Sequence, residues 1–190
     1  NRQLIHHSSI SIFLYSYNIF SLIKYMFSII LISRMKIERA EKILQLQLDW
    51  VKTADAKVPA LFAINISMLG VLSALAKAAT SWSLVSGIFV VICASLLIYS
   101  IGNMAFTMFP SLLGPNTSNL YFGGIAKQSN EDFHEKIKQL SDDEYLDDLI
   151  NQAYRNAEIA KSKYGYIKKS SVYLLLSFPI WLLSIYLIYT

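Results

Sequence analysis

Trp50-Val-Lys-Thr-Ala-Asp55-Ala-Lys57 runs straight into residues 58–76, nineteen positions with no charged side chain. A segment of that length and polarity is built to cross a bilayer, whose hydrocarbon core takes about 20 apolar residues as a helix. A plain anchor needs only an apolar run and basic flanks. Here an acid, two lysines and an indole stand at fixed places beside the span. The fold is decided by the span, and the interest lies in the polar residues at its mouth.

Two further runs repeat the pattern. Residues 83–109 are uncharged, and residues 172–190 are uncharged up to the last position. The first of these is long enough to cross with tilt. Pro179 inside the second would be costly in a soluble helix, but membrane helices tolerate such breaks when neighbours satisfy the freed backbone. With 54% apolar residues concentrated in these blocks, the chain reads as an all-α integral membrane protein: an amphipathic helix over 35–57, a hairpin of spans over 58–76 and 83–109, a helical cytoplasmic insert over 110–171, and a third span over 172–190.

Residues 9–32 form a fourth, weaker apolar segment, interrupted by Lys24. Residues 1–34 lack Asp, Glu, Gly, Ala, Val, Thr and Pro altogether, and 15 of the 34 are Ile or Ser. This bias is foreign to membrane helices, and Met35 opens the first well-patterned stretch. We therefore read Met35 as the start of the functional chain and 1–34 as a doubtful upstream or additional apolar segment.

Lys and Arg counts set an orientation. Residues 34–57 carry six, residues 110–171 carry eight, and the link between the hairpin spans carries one, Lys77. The positive-inside rule puts both basic stretches in the cytoplasm. Trp82, Trp181, Tyr186 and Tyr189 are candidate interface anchors, although Trp181 lies deep in its span for that role. The net charge of +4 is spent beside the spans, which argues for lipid headgroups and against nucleic acid.

The polar stretches read as helical. Ile37, Ala40, Leu44, Leu48 and Val51 make one stripe on a charged helix. Residues 110–128, with Pro110, Gly114, Pro115, Asn116, Gly123 and Gly124, read as a structured loop. Ser129 to Asp132 and Ser141 to Glu144 fit helix-capping patterns. The second begins a helix from Asp142 to about Ser170, expected to bury Ile150, Ala153, Ala157, Ala160, Tyr164 and Ile167 and to continue into the last span. The acids Asp142, Asp143, Glu144, Asp147 and Asp148 complement the helix dipole.

The candidate functional residues fall into two groups. Trp50, Asp55, Lys57 and Asn65 are candidates for coupling to the membrane. Asp55 needs a partner so close to lipid, and Lys52 or a base on the long helix would serve; the plainer reading of Asp55 and Lys57 is interfacial anchoring. Asn65, inside the span, reads as an interhelical hydrogen bond or as part of a polar path. Tyr121, Phe122, Gly123, Arg155, Asn156 and Lys163 are candidates for ligand binding. Aromatics can stack a base, glycine N–H groups can approach a phosphate, and Arg155, Lys161 and Lys163 supply charge. The plainer reading of Tyr121 to Gly124 is a tight turn with packed rings. No nucleophile–base pair, HExxH or phosphate-loop pattern is present, so no catalytic residue is assigned. One cysteine and three scattered histidines give no metal site, and no cofactor is expected.

Taken together, Trp50…Ala54-Asp55-Ala-Lys57…Asn65, Asn119-Leu-Tyr-Phe122-Gly123-Gly-Ile-Ala126, and Tyr145…Asp148…Gln152-Ala-Tyr-Arg-Asn156-Ala-Glu-Ile-Ala160…Lys163-Tyr164 resemble the transmembrane effectors of Pycsar antiphage systems over about residues 45–172. The resemblance implies a multi-pass protein of the bacterial inner membrane whose cytoplasmic region binds cyclic CMP or cyclic UMP made by a companion cyclase. It also implies impairment of the membrane, arrest or death of the infected cell, and assembly as a homo-oligomer. A passive membrane scaffold that docks a cytoplasmic partner is the alternative.

Overall fold

The computed structural model describes residues 2–109, 114 and 117–189, with side chains from residue 20 onward. Pro110, Pro115, Asn116 and the terminal Thr190 lie outside the described residues, as do the side chains of His6 and His7. The described chain is all helical: α1 (Arg2–Ala78), α2 (Leu84–Met108), α3 (Phe122–Ile125), α4 (Asn130–Gln139) and α5 (Asp142–Tyr189). α1, α2 and α5 are each long and apolar enough to cross a membrane.

The helices are fewer and longer than the pattern implied. No break separates the amphipathic stretch from the first span, and α1 passes unbroken through Met35 and through Pro59. A helix interior resists proline because the ring nitrogen cannot donate to the carbonyl four residues back. Here that carbonyl belongs to Asp55, so the backbone is weakest where the polar mouth of the span begins. α5 runs 48 residues from the capping segment through Pro179, joining the polar region and the last span in one rod.

The helix starts follow the capping patterns. The Ser141 hydroxyl accepts from the Glu144 N–H at 3.3 Å, and the Glu144 carboxylate accepts from the Ser141 N–H at 3.0 Å. Ser129 caps α4 through the Asp132 N–H. Ser83 and Ser86 make the same reciprocal pair at the head of α2. The Ser141 hydroxyl also donates to the Glu144 carboxylate at 2.7 Å, and the N–H and hydroxyl of Ser141 together hold that carboxyl below its ordinary value of 4.5.

α5 is the central helix, packed along both α1 and α2. Its seam with α2 is a register of small or polar side chains seven residues apart. Ser86, Cys93, Ser100 and Thr107 on α2, and Lys163, Ser170, Ser177 and Ser184 on α5, are all buried. They meet in antiparallel order. The Thr107 carbonyl accepts from Lys163 at 2.9 Å, Ser100 Oγ contacts the Ser170 carbonyl and hydroxyl at 2.9 and 2.8 Å, and the Cys93 thiol points at the Ser177 carbonyl at 3.9 Å. Small residues let helix backbones approach closely in lipid, and their hydroxyls bond across the gap. The seven-residue period keeps the seam facing its partner as the helices supercoil.

Two apolar clusters flank this seam. Ala54, Val58, Met104 and Ile167 pack with Leu61 and Tyr164 at the polar end. Met68, Leu72, Cys93 and Leu97 pack deeper, against Trp181 among others. Trp181, half-buried, donates its indole N–H to the Met68 carbonyl at 2.9 Å, midway along residues 58–76, in keeping with a position deeper than an interface anchor. The buried face of α5 also differs from the expected one. Ala153, Ala160 and Ile167 are buried and Ala157 and Tyr164 half-buried, but Ile150 is 52% exposed and Leu149 takes its place. The face widens because α5 is gripped from two sides, which draws in the polar Gln152 and Lys163. On α1 the expected stripe holds, with Ala40 buried and Ile37, Leu44, Leu48 and Val51 half-buried.

Candidate functional site

Where the three long helices leave their apolar clusters, one lysine holds all of them. Lys163 on α5 donates to the Asp55 carboxylate on α1 and to the Thr107 carbonyl at the end of α2. The base that Asp55 requires is therefore the one on the long helix. Lys52 pairs with Asp49 instead, at 3.7 Å. The lysine side chain is 11% exposed and that of Asp55 48%, so the pair is buried on one side and wet on the other. Such a geometry gives a real but moderate ion pair that water can compete for.

Two more of the predicted coupling residues gather around the neighbouring Tyr164. Trp50 meets its ring edge-on at 5.9 Å, and the Lys57 ammonium lies 5.2 Å from the ring centroid. Cation–π and edge contacts of this kind contribute about 0.5–1.5 kcal/mol each. The buried Tyr164 hydroxyl has no hydrogen-bond partner among the described residues. Asn65 stands apart from this group. It is fully buried, its amide donates to the Leu61 carbonyl of its own helix at 2.8 Å, and its Oδ1 has no partner. The interhelical bond expected of Asn65 is thus absent among the described residues.

The loop carrying Tyr121, Phe122 and Gly123 is seated on α5 by a second polar joint. The Asn119 N–H donates to Asp148 at 2.7 Å. Gln152 donates to the Ser118 hydroxyl at 2.8 Å, and that hydroxyl accepts the Leu120 and Tyr121 N–H groups. Asp148 therefore does more than complement the helix dipole. The Tyr121 and Phe122 rings lie 4.8 Å apart, tilted at 58° to one another. A Cβ on Gly114 would come within 2.7 Å of the Tyr121 ring, and one on Gly123 within 2.6 Å. The ring thus fills the space that both glycines leave open. The Gly124 and Ile125 N–H groups already bond the Tyr121 carbonyl. Phe122 is 64% exposed. Asn156 donates to the Gln152 carbonyl on its own helix.

Arg155 and Lys163 line a different space. A cleft of about 230 Å³ opens between the end of α2 and α5, walled by Phe106, Phe109, Arg155, Glu158, Lys163 and Tyr166 among others. Phe106 and Tyr166 stack at 5.6 Å with nearly parallel planes, and Arg155 bonds Glu158 at 2.8 Å. Thr107, Phe106 and Tyr166 were not singled out in the sequence. The seven-residue spacing from Ser86 to Thr107 was the available signal for Thr107. For the two rings no signal existed, since their meeting depends on how α2 and α5 align. Among the described residues, no group of three or more His, Cys, Asp or Glu side chains is placed to hold a metal ion.

The family model for the Pycsar effector protein domain matches residues 39–190. The chain belongs to the Pycsar effector family. A Pycsar effector is a membrane effector of antiviral defence, and the three long apolar helices are those of a membrane protein. The match takes in the clasp that Lys163 forms with Asp55 and Thr107, the loop and the cleft. No curated protein and no solved structure matches the chain.

Proposed function

We propose that this Pycsar effector binds a cyclic pyrimidine mononucleotide, cyclic CMP or cyclic UMP, in its cytoplasmic region and then impairs the bacterial inner membrane, arresting or killing the infected cell. The observation that carries the coupling is the clasp. Lys163 ties the membrane mouth of α1 to the end of α2 from a helix that continues into the last span. A ligand acting on that lysine alters the packing of all three spans at once. It can favour the impaired-membrane state only through higher affinity for that state. The basic residues flanking the spans support a cytoplasmic placement of the clasp and loop, and the companion cyclase supplies the signal.

The scaffold alternative draws on an apolar groove between α1 and α5, lined by Ile43, Ile150, Ala153 and Tyr154 among others. It predicts no response to a small ligand. Membrane potential in bacteria expressing the effector separates the two. Depolarisation on switching on a pyrimidine cyclase, absent with a cyclase-dead control, is the expected result. Unchanged potential with the nucleotide present and the protein in the membrane favours the scaffold.

A further inference from the structure

We propose that the nucleotide sits in the cleft between the end of α2 and α5, and that its phosphate draws Lys163 away from Asp55. This rests on the cyclic-nucleotide reading above and names its site and its trigger.

The cleft has the chemistry that an anionic base-bearing ligand requires. Arg155 and Lys163 bring two cations to one wall, and the Phe106–Tyr166 stack offers an aromatic face. Phe106 is 64% exposed, so a base can extend the stack. Aromatic faces accept any base, with about 1–3 kcal/mol per stacked base. At about 230 Å³ the cleft falls below the usual range of roughly 300–1,000 Å³ for ligand pockets. Its size is closer to that of one nucleotide unit than to that of a cyclic dinucleotide.

The other spaces fit worse. The cavity beneath the loop, about 540 Å³, sets Glu144, Asp147 and Asp148 against Lys136 and repels a phosphate. The groove of Ile43 and Ile150 also has Lys36 and Arg39 at its wall, but they present their carbon stems to it and almost no polar surface faces inward. The hollow around Lys161 and Lys169 is lined by α5 alone, so a ligand there would touch one helix and couple to nothing. The Tyr121–Gly124 turn has its space filled by its own ring.

Glu158 is the one acid in the cleft, and it is bonded to Arg155 with its own side chain 46% exposed. A phosphate replaces it as the acceptor of the guanidinium, in the bidentate manner that favours arginine, while Glu158 turns to water. Lys163 has three donors, two of them committed to Asp55 and Thr107. Asp55 is half-exposed and therefore the acceptor most readily exchanged for solvent. A phosphate bound at Lys163 weakens the Asp55 contact and frees α1 beside Pro59, where its backbone is weakest. By linkage, any change that loosens Asp55 from Lys163 must tighten nucleotide binding.

The test is calorimetric titration of the full chain in lipid nanodiscs with cyclic CMP and cyclic UMP. Arg155→Gln and Phe106→Ala should each weaken binding by about tenfold or more. Tyr166→Leu keeps the bulk of the wall and should weaken it by several-fold, about 3–10. Phe122→Ala should leave affinity within about twofold, and Asp55→Asn should raise it by about 3–10-fold, the coupling of roughly 1 kcal/mol expected of linked sites. If the wild type binds but the cleft variants match it and Phe122→Ala fails, the site is the loop and this proposal falls while the proposed function stands. If Asp55→Asn binds no tighter, the exchange at Lys163 is wrong. If the wild type binds neither nucleotide, the functional reading falls, and the site with it.

Discussion

Asp55 and Lys163 show how far a single residue can be read before its partner is known. An acid beside a span demands a base, and that demand was visible in the sequence, as was the long helix that supplies it. Its identity as Lys163 was not visible, because 108 residues separate the pair and only the packing of α1 on α5 brings them together. Removing one partner strands the other. Asp55→Ala should cost about 1–3 kcal/mol, since it leaves a mostly buried ammonium with a carbonyl alone. Lys163→Met added to Asp55→Ala should recover part of that loss, because an apolar side chain of similar volume suits the site once the charge is gone. Thermal unfolding in detergent, followed by circular dichroism for the two variants and the wild type, checks this; a double variant less stable than the single one contradicts it. At the loop, Gly123→Ala should destabilise the 117–126 turn, because its methyl would collide with the Tyr121 ring. Faster protease cleavage there with α5 intact is the expected outcome. The pairing of an aromatic with glycines was legible, but that one ring fills the space of two glycines is a fact of three dimensions.

At the scale of elements, the spans and the capping boxes could be read because both are local. A run of uncharged residues must leave water, and a serine three residues before an acid satisfies free N–H groups wherever it falls. The face of α5 was harder. An alanine series suggested one seam, yet the tightest seam runs through Lys163, Ser170, Ser177 and Ser184. Serines look like surface residues in a soluble helix, and become a packing surface only when a second row of small residues faces them. Ser100→Leu should therefore cost about 1–3 kcal/mol through overpacking and separate α2 from α5, while Ser95→Leu, on the exposed side of α2, should be near neutral. Thermal unfolding ranks them. The cap of α5 has a pH signature. The carboxylate of Glu144 titrates below its ordinary 4.5 because it accepts from Ser141. Its contribution is present above 4.5 and is lost as pH falls through the lowered value. Glu144→Gln should flatten that acid-side loss of helicity, and an unchanged acid limb contradicts the assignment.

At the scale of the whole molecule, one rod, α5, links the proposed nucleotide cleft to the last apolar segment. α5 lines the cleft near its middle, and its far end is long and apolar enough to cross a bilayer. α1 carries Asp55 and α2 carries Phe106 and Thr107, so each span has a stake in the same few ångströms. None of this convergence could be read from spacing alone, since it requires three helices in register, although the residues that meet there lay within or beside the motifs that stood out. The match to the Pycsar effector family covers residues 39–190.

We propose that a cyclic pyrimidine nucleotide opens the clasp and thereby breaches the membrane. Release of a self-quenched dye from vesicles containing only this protein measures that most directly. Wild type should hold the dye until cyclic CMP or cyclic UMP is added, and Asp55→Asn should leak without either. Vesicles that stay sealed with both nucleotides, or an Asp55→Asn protein as tight as wild type, would contradict it.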